Sequence, residues 1–191
     1  MLNALEYCMA ILPILTVPHP LLTQKARPVR ADEFGEALMK RLTDMAETMY
    51  AAPGVGLAAP QVGDLRRMLV ADISEETEDG GKGEHRKAGN LIHLVNPVIV
   101  EKSKEMIRWE EGCLSVPEFW EDFDRPRRVK VRYQDPFGQP GERVFEGYPA
   151  VIVQHEMDHL DGIVIIDRVS RLKRARYLRR VKREDGSEAS P

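Results

Sequence analysis

Residues 154–162 of this chain read Gln154-His155-Glu156-Met157-Asp158-His159-Leu160-Asp161-Gly162. In a helix, residues four positions apart differ in direction by only about 40°. His155 and His159 therefore share a face, and both imidazoles can bind one metal ion. Glu156 projects close to that face, where it can accept a proton from a metal-bound water. The preceding apolar run, 151–153, predicts a buried helix, in which these polar groups are costly without a partner. The pattern therefore predicts a central helix that carries a metal site.

The sequence after this motif offers no clear third ligand. One group of metalloproteases places a third histidine six residues after the second. Gly162 fits that extended pattern, but the sixth position is Ile165, which cannot bind a metal. Glu184 and Glu188 lie further along, in a polar tail. We therefore expect the third ligand to come from upstream.

The composition indicates a single globular domain. The 191-residue chain is 42% hydrophobic and 31% charged, which is typical of a protein with a real core. Its two cysteines, Cys8 and Cys113, are too few for a disulfide framework and fit a reducing compartment. The apolar run 7–15 follows Glu6 and is interrupted by Pro13, unlike a signal peptide. We expect an irregular N-terminal arm, no transmembrane helix and a cytoplasmic protein.

The other patterns predict an α+β domain. An amphipathic helix is predicted over 32–50, with an apolar stripe formed by Phe34, Leu38, Leu42, Met45 and Met49. We expect short, mostly antiparallel strands around the central helix that carries the two histidines, plus a C-terminal helix. Strands are predicted over 67–73, 91–100, 129–133 and 143–145, with an edge or a bulge at Pro97. A further strand is predicted to end near Trp109. Loops are predicted at the glycine-rich segment 54–61, the long polar segment 74–89 and the turn 135–138.

The C-terminal segment is strongly basic. Residues 168–183 contain nine basic and no acidic residues, so the net charge of −3 leaves −12 on the rest of the chain. We predict a basic helix over 167–182, after a catalytic domain of residues 1–166 and before a disordered tail of residues 183–191. An apolar docking stripe is predicted from residues that recur every three positions: Val169, Leu172, Ala175, Leu178 and Val181. The basic faces fit either an ordinary solvated helix or a phosphate-binding surface.

Cys113 is the natural upstream candidate for the third ligand, because a thiolate binds zinc or ferrous iron well. It belongs to the second of three separated motifs. The first is Ala58-Ala59-Pro60-Gln61, the second is Glu111-Gly112-Cys113-Leu114-Ser115, and the third is the histidine motif at 154–162. With all three in this order, the chain closely resembles the peptide deformylases over roughly residues 11–182.

The resemblance implies a hydrolase that removes the formyl group from the N-terminal formylmethionine of newly synthesised polypeptides, a step in protein biosynthesis. It implies one divalent metal ion held by Cys113, His155, His159 and a water. Fe²⁺ is the usual physiological ion of the family, and Zn²⁺, Ni²⁺ or Co²⁺ can occupy the same ligands. Glu156 would accept the proton of the water and later deliver it to the departing amine. The oxyanion would be stabilised by the Gln61 side-chain amide and the Leu114 backbone N–H.

The resemblance also implies how substrate and partners are bound. Gly56 and its neighbouring backbone would contact an extended peptide, since side chains would block a close approach. Val55, Val151 and Ile152 would help to line an apolar pocket for the methionine side chain. The expected partners are N-formylmethionyl nascent peptides and, through the basic helix, the ribosome. We expect no membrane contact and a monomer.

Two other functions compete with this interpretation. An ordinary zinc endopeptidase would share the histidine motif, but the missing downstream ligand and the Cys113 motif argue against it. A protein with a purely structural metal usually closes its site with four protein ligands. The three motifs provide only three, together with an intact base.

Overall fold

The computed structural model describes residues 10–74 and 89–184. Most of the predicted polar loop 74–89 and of the predicted tail 183–191 lies outside the described residues. The architecture confirms the predicted α+β class, with antiparallel strands around a helix that carries the two histidines and with a C-terminal helix. The division of the chain at residue 166 stays a prediction.

The central helix, α2, spans Tyr148–Leu160 and is buried along nearly its whole length. It starts after Gly147, whose φ of 65° favours glycine, and Pro149 fits its first turn, where no backbone donor is needed. It ends before Gly162, whose φ of 74° also favours glycine. A helix that is covered on every side forms the centre of a small domain. Ile165, at the position where a third histidine would stand, is buried in the core.

Two antiparallel sheets enclose α2. The strands are β1 Gly56–Ala58, β2 Met68–Asp72, β3 Leu91–Lys102, β4 Met106–Cys113, β5 Val116–Pro126, β6 Arg128–Gln134 and β7 Pro140–Glu146. The larger sheet has the order β1-β2-β3-β6-β7, and β4 pairs with β5 in the smaller one. Because α2 contacts β1, β2, β7 and β5, its histidines lie between the two sheets.

The predicted amphipathic helix is present as α1, Glu36–Ala51. Its first residues, 31–33, form a separate 3-10 turn instead. Leu38, Leu42, Met45 and Met49 are fully buried, and Phe34 packs at the margin of the same cluster. The bulge predicted at Pro97 is confirmed by a register shift between Val95 and Val98 inside β3. Since β3 lies between β2 and β6, it is not an edge strand.

Two local predictions near the motifs were wrong. The glycine-rich segment 54–61 is not only a loop, because Gly56–Ala58 pairs with β2 and residues 59–62 form a 3-10 turn. Burial of Leu57 and Ala58 outweighs the low strand propensity of glycine here. The strand predicted to end near Trp109 continues to Cys113, because β5 pairs with it along its full length. Cys113 therefore ends a strand, and Leu114 and Ser115 form the turn to β5.

The C-terminal helix, α3, spans Arg171–Glu184 and so extends two residues beyond its predicted end. It starts later than predicted, because residues 165–167 form a 3-10 turn and the Ser170 hydroxyl accepts a hydrogen bond from the Lys173 N–H. The predicted apolar stripe is confirmed only in part, because Val169, Leu178 and Val181 pack against the domain whereas Leu172 is 81% exposed and Ala175 is exposed. Positions three apart in an α-helix are offset by about 60°, so five of them span about 240° and cannot all face the domain. Tyr177, which the predicted stripe did not include, faces the domain beside Leu178 and Val181.

Tyr177 should therefore anchor α3, whereas Leu172 should not. Tyr177 is 6% exposed and donates a hydrogen bond to the Pro117 carbonyl at 2.9 Å. Tyr177→Ala should lower the free energy of unfolding by about 3 kcal/mol, the usual cost of removing a buried aromatic ring. The matched control Leu172→Ala should change it by less than about 0.5 kcal/mol. Urea denaturation measures both values, and equal losses would contradict the packing described here.

Candidate metal centre

Three side chains from separate motifs converge between the sheets. Cys113 comes from the end of β4, and His155 and His159 come from successive turns of α2. Their potential ligand atoms all lie within 4.8 Å of one another, and Cys113 Sγ is 3.2 Å from His159 Nε2. One sulfur and two imidazole nitrogens form a donor set that suits zinc or ferrous iron. The structure thus brings together the three residues expected as ligands.

Burial and charge at this cluster favour a bound cation. Glu156 Oε2 is buried and has no hydrogen-bond partner among the described residues, and His159 Nε2 faces the Cys113 sulfur. Burial lowers the pKa of His159 well below its ordinary value, so its imidazole is neutral, as a metal ligand must be. Burial also tends to lower the pKa of His155, but the neighbouring Cys113 and Glu111 outweigh it and raise that pKa well above its usual value. A site that attracts a proton in this way also attracts a metal cation.

Glu156 lies beside the three ligands and is buried. Burial is the main cause that raises the pKa of this carboxyl to about 7, and the negative charge of Glu111 adds to it. Gly56 packs directly against the Glu156 side chain, so that a Cβ at position 56 would overlap the carboxylate. The sequence suggested close approach of a substrate as the reason for this glycine. The structure adds a second reason, which is the room that Glu156 needs.

Gln61 is not a surface glutamine, since it is only 1% exposed. Its Oε1 accepts a hydrogen bond from the Ala58 N–H at 2.7 Å, and its Nε2 donates to Ser115 Oγ at 3.1 Å. The same Nε2 lies 3.8 Å from Cys113 Sγ. The amide nitrogen therefore faces the ligand cluster. Leu114, the other expected oxyanion donor, follows Cys113 directly in the turn between β4 and β5.

A cleft of about 360 Å³ opens beside the cluster. Its walls include all four residues expected to bind substrate, Val55, Gly56, Val151 and Ile152. Cys113, His155, Glu156, Gln61 and Leu114 line the same cleft. Two of the three expected ligands, the base, the oxyanion donors and the apolar pocket therefore share one cavity, and His159 lies buried beside Cys113. The cavity is large enough for a small peptide segment.

Comparison with known proteins agrees with this arrangement. The family model described as polypeptide deformylase matches residues 11–175. The chain belongs to the polypeptide deformylase family. It is 43% identical to the peptide deformylase of Erythrobacter litoralis, over 92% of this chain and 97% of that protein. It is 46% identical to the peptide deformylase of Phenylobacterium zucineum, with the same coverage.

Solved deformylase structures share the fold. The crystal structure of peptide deformylase from Ehrlichia chaffeensis has a TM-score of 0.82 and 37% identity, and the alignment covers 94% of this chain and 99% of that one. A peptide deformylase of Acinetobacter baumannii with Met-Ala-Ser bound has a TM-score of 0.76 and 39% identity, over 84% of this chain and 99% of that one. Deformylases are metal-dependent, in keeping with the Cys113, His155 and His159 group.

Sequence reasoning missed the aromatic lining of this deformylase cleft. Trp109 stacks on Tyr148 with ring centroids 4.8 Å apart, and both line the cavity. Trp120 also lines it and lies over Gly112, its cross-strand partner. The signal that could have found them is that both tryptophans of the chain lie within seven residues of Cys113. The cleft is thus more aromatic than the expected aliphatic residues indicated.

Sequence reasoning also assigned no role to Glu111, the carboxylate that contacts the expected ligand His155. The Nδ1 of His155 lies 2.7 Å from Glu111 Oε2, which leaves Nε2 for a metal. Burial tends to raise the pKa of Glu111, but hydrogen bonds from Arg125 and His155 outweigh it and lower that pKa to about 2. Glu111 therefore stays charged and fixes the orientation of the His155 ring.

A network of ion pairs continues from Glu111 to the start of α3. Arg125 is buried and contacts both oxygens of Glu111, and its Nη1 donates to Asp158 at 2.9 Å. Asp158 lies on α2 between the two histidines and also accepts two hydrogen bonds from Arg168. The network therefore links His155, the smaller sheet, the central helix and the segment that leads into α3.

Removing the charged partner of His155 should weaken metal binding. Glu111→Gln should lower the affinity for Zn²⁺ or Co²⁺ by about 10- to 100-fold, the usual effect of losing a partner of a ligand histidine. Competition with a chelator of known affinity measures this change. Glu105→Gln, which alters an exposed carboxylate on the other end of the same hairpin, is the matched control. Equal affinities for the two variants would show that Glu111 does not support the ligand.

Proposed function

We propose that this protein hydrolyses the formyl group from the N-terminal formylmethionine of nascent peptides with Cys113, His155 and His159 as metal ligands. The observation that carries the proposal is the cleft that Cys113, His155, the buried Glu156 carboxylate and an apolar pocket share, with His159 completing the Cys, His, His group. The bound Met-Ala-Ser of the Acinetobacter baumannii structure is the kind of peptide that deformylation of a formylmethionyl chain releases.

We propose a single divalent ion in the site, with Fe²⁺ as the physiological one and Zn²⁺, Ni²⁺ or Co²⁺ as substitutes. The mixed thiolate and imidazole ligands suit each of these ions. When bound, such an ion polarises the formyl carbonyl and makes a water more acidic. Groups of the protein itself move the proton and stabilise the charge that develops on the formyl oxygen.

Glu156 is proposed as the group that moves the proton. Its buried carboxylate takes a proton from the attacking water and delivers it to the methionine nitrogen when the formyl carbon–nitrogen bond breaks. Gln61 Nε2 and the Leu114 backbone N–H stabilise the negative charge that develops on the formyl oxygen. The amide of Gln61 faces Cys113 already, so little reorganisation is needed during the reaction.

The substrate is proposed to bind as an extended strand beside β1. This strand is at the edge of the larger sheet, so only one side of its backbone pairs with another described strand, and its Gly56 lines the cleft. The methionine side chain then enters the apolar part of the cleft between Val55, Val151 and Ile152. An endopeptidase function is less well supported, because buried Ile165 replaces the downstream histidine.

A direct test compares formyl-Met-Ala-Ser with an unformylated peptide of the same length. The metal-loaded protein should release formate from the first and leave internal peptide bonds intact. Glu156→Ala should keep about one metal per chain but lower kcat by about 100-fold or more, because the proton acceptor is gone. Asp161→Asn, just beyond α2, should behave like the unaltered protein. Near-normal kcat in metal-loaded Glu156→Ala would contradict the role of Glu156.

We further propose that α3 binds ribosomal RNA near the site where nascent chains emerge. Several basic residues of the segment are paired within the protein, as in Lys173 with Glu121 and Arg174 with Asp167. Arg171, Arg176 and Arg179 are exposed and form no ion pair within the described residues. They are therefore available for phosphates. No helix in the described part of the chain is long and apolar enough to cross a membrane. The monomeric state and the cytoplasmic location stay predictions.

Replacing Arg171, Arg176 and Arg179 together by Gln should weaken co-sedimentation with ribosomes. Each lost phosphate contact should reduce the slope of log K against log salt by roughly 0.7 to 1. The control replaces three other exposed cations by Gln. They are Lys102 at the end of β3, Lys104 in the loop that follows, and Arg108 in β4. Hydrolysis of a short formylated peptide should be unchanged in both variants. Equal ribosome binding by both variants would leave α3 as a packing element.

A further inference from the structure

Ser115 is fully buried beside the ligand cluster, and the reaction proposed above gives it no role. Its Oγ is 3.1 Å from Gln61 Nε2. Its position in the turn after Cys113 places it next to both proposed oxyanion donors, the Gln61 amide and the Leu114 N–H. By accepting a hydrogen bond from the Gln61 side-chain amide, this buried hydroxyl can set the direction of that amide.

The orientation of the Gln61 amide follows from its neighbours. The Ala58 backbone N–H, 2.7 Å away, can only donate, so the atom that faces it must be the amide oxygen. The NH₂ group then faces Ser115 Oγ and Cys113 Sγ. One of its two hydrogens is used by Ser115, and the other is directed towards the ligand cluster.

The backbones of Gln61 and Ser115 are held by the same N-terminal arm. The Leu15 N–H donates to the Gln61 carbonyl at 2.7 Å, and the Val17 N–H donates to the Ser115 carbonyl at 2.9 Å. The arm thereby fixes the two segments relative to each other. With the backbones fixed, the hydrogen bond between the two side chains sets where the second N–H of Gln61 points, which is towards Cys113 Sγ.

We propose that Ser115 is a positioning residue for catalysis, which aligns the Gln61 amide so that one N–H is committed to the developing oxyanion. This inference rests on the proposed deformylase function and on the proposed role of Gln61. Donors that are aligned before reaction stabilise the transition state without reorganisation. Without the hydroxyl, the Gln61 side chain can rotate, and a misalignment near 1 Å is enough to reduce the rate strongly.

Single variants give the first test, with formyl-Met-Ala-Ser and metal content measured in parallel. Gln61→Ala should lower kcat by about 100-fold, the effect of losing one oxyanion donor. Ser115→Ala should lower kcat by about tenfold, leave KM within twofold and keep about one metal per chain. Ser103→Ala is the matched control, since Ser103 Oγ also makes two hydrogen bonds but lies away from the cleft. Its kcat should be that of the unaltered protein.

The double variant distinguishes positioning from structural support. If Ser115 acts only through Gln61, then Ser115→Ala added to Gln61→Ala should change kcat by less than twofold. A further tenfold loss in the double variant would overturn the inference, as would normal kcat in Ser115→Ala. If Gln61→Ala retains full kcat, the proposed role of Gln61 is wrong, and the inference fails with it. If no variant, including the unaltered protein, releases formate, the proposed function itself is wrong.

Discussion

The buried ion pair between Glu111 and Arg125 is the interaction on which the site depends. Its two charges are almost completely removed from water, so each needs the other as a partner, together with Asp158 for Arg125 and His155 for Glu111. Breaking such a pair usually costs about 3–5 kcal/mol, because an uncompensated charge stays buried. Glu111 belongs to β4, Arg125 to β5, and both contact α2 through His155 and Asp158. The pair therefore holds the smaller sheet against the central helix.

The same ion pair explains how the ligands from β4 and from α2 are aligned. Cys113 is two residues after Glu111, so the contact that orients His155 also fixes the strand that presents the thiol. On the other side, Gly56 allows β1 to lie directly against Glu156. The central helix is thus fixed from both sheets, and its polar face points into the cleft between them.

The basic C-terminal helix is attached to this arrangement rather than separate from it. Arg168, three residues before α3 begins, contacts Asp158, which lies between the two histidines on α2. Tyr177, within α3, packs against the smaller sheet. Its outward face keeps exposed arginines, while its inward contacts reach the network around the metal ligands. One face of this segment is therefore exposed and basic, while the other contributes to the stability of the domain.

The amino-acid sequence by itself determined the fold class, the central helix and the family of this protein. Those conclusions followed from local patterns: the spacing of His155 and His159, the order of three short motifs, and apolar periodicity such as that of α1. Local patterns are set by covalent spacing and backbone geometry, so they can be read without knowing the neighbours. The extent of β4, the strand at Gly56–Ala58 and the packing face of α3 could not be obtained in this way. Only the tertiary structure decided them, because pairing with β5, pairing with β2 and burial of Tyr177 outweigh local preference. It alone also brought Glu111, Arg125, Asp158 and Ser115 to the site, since contacts between distant residues leave no periodic signal in the chain.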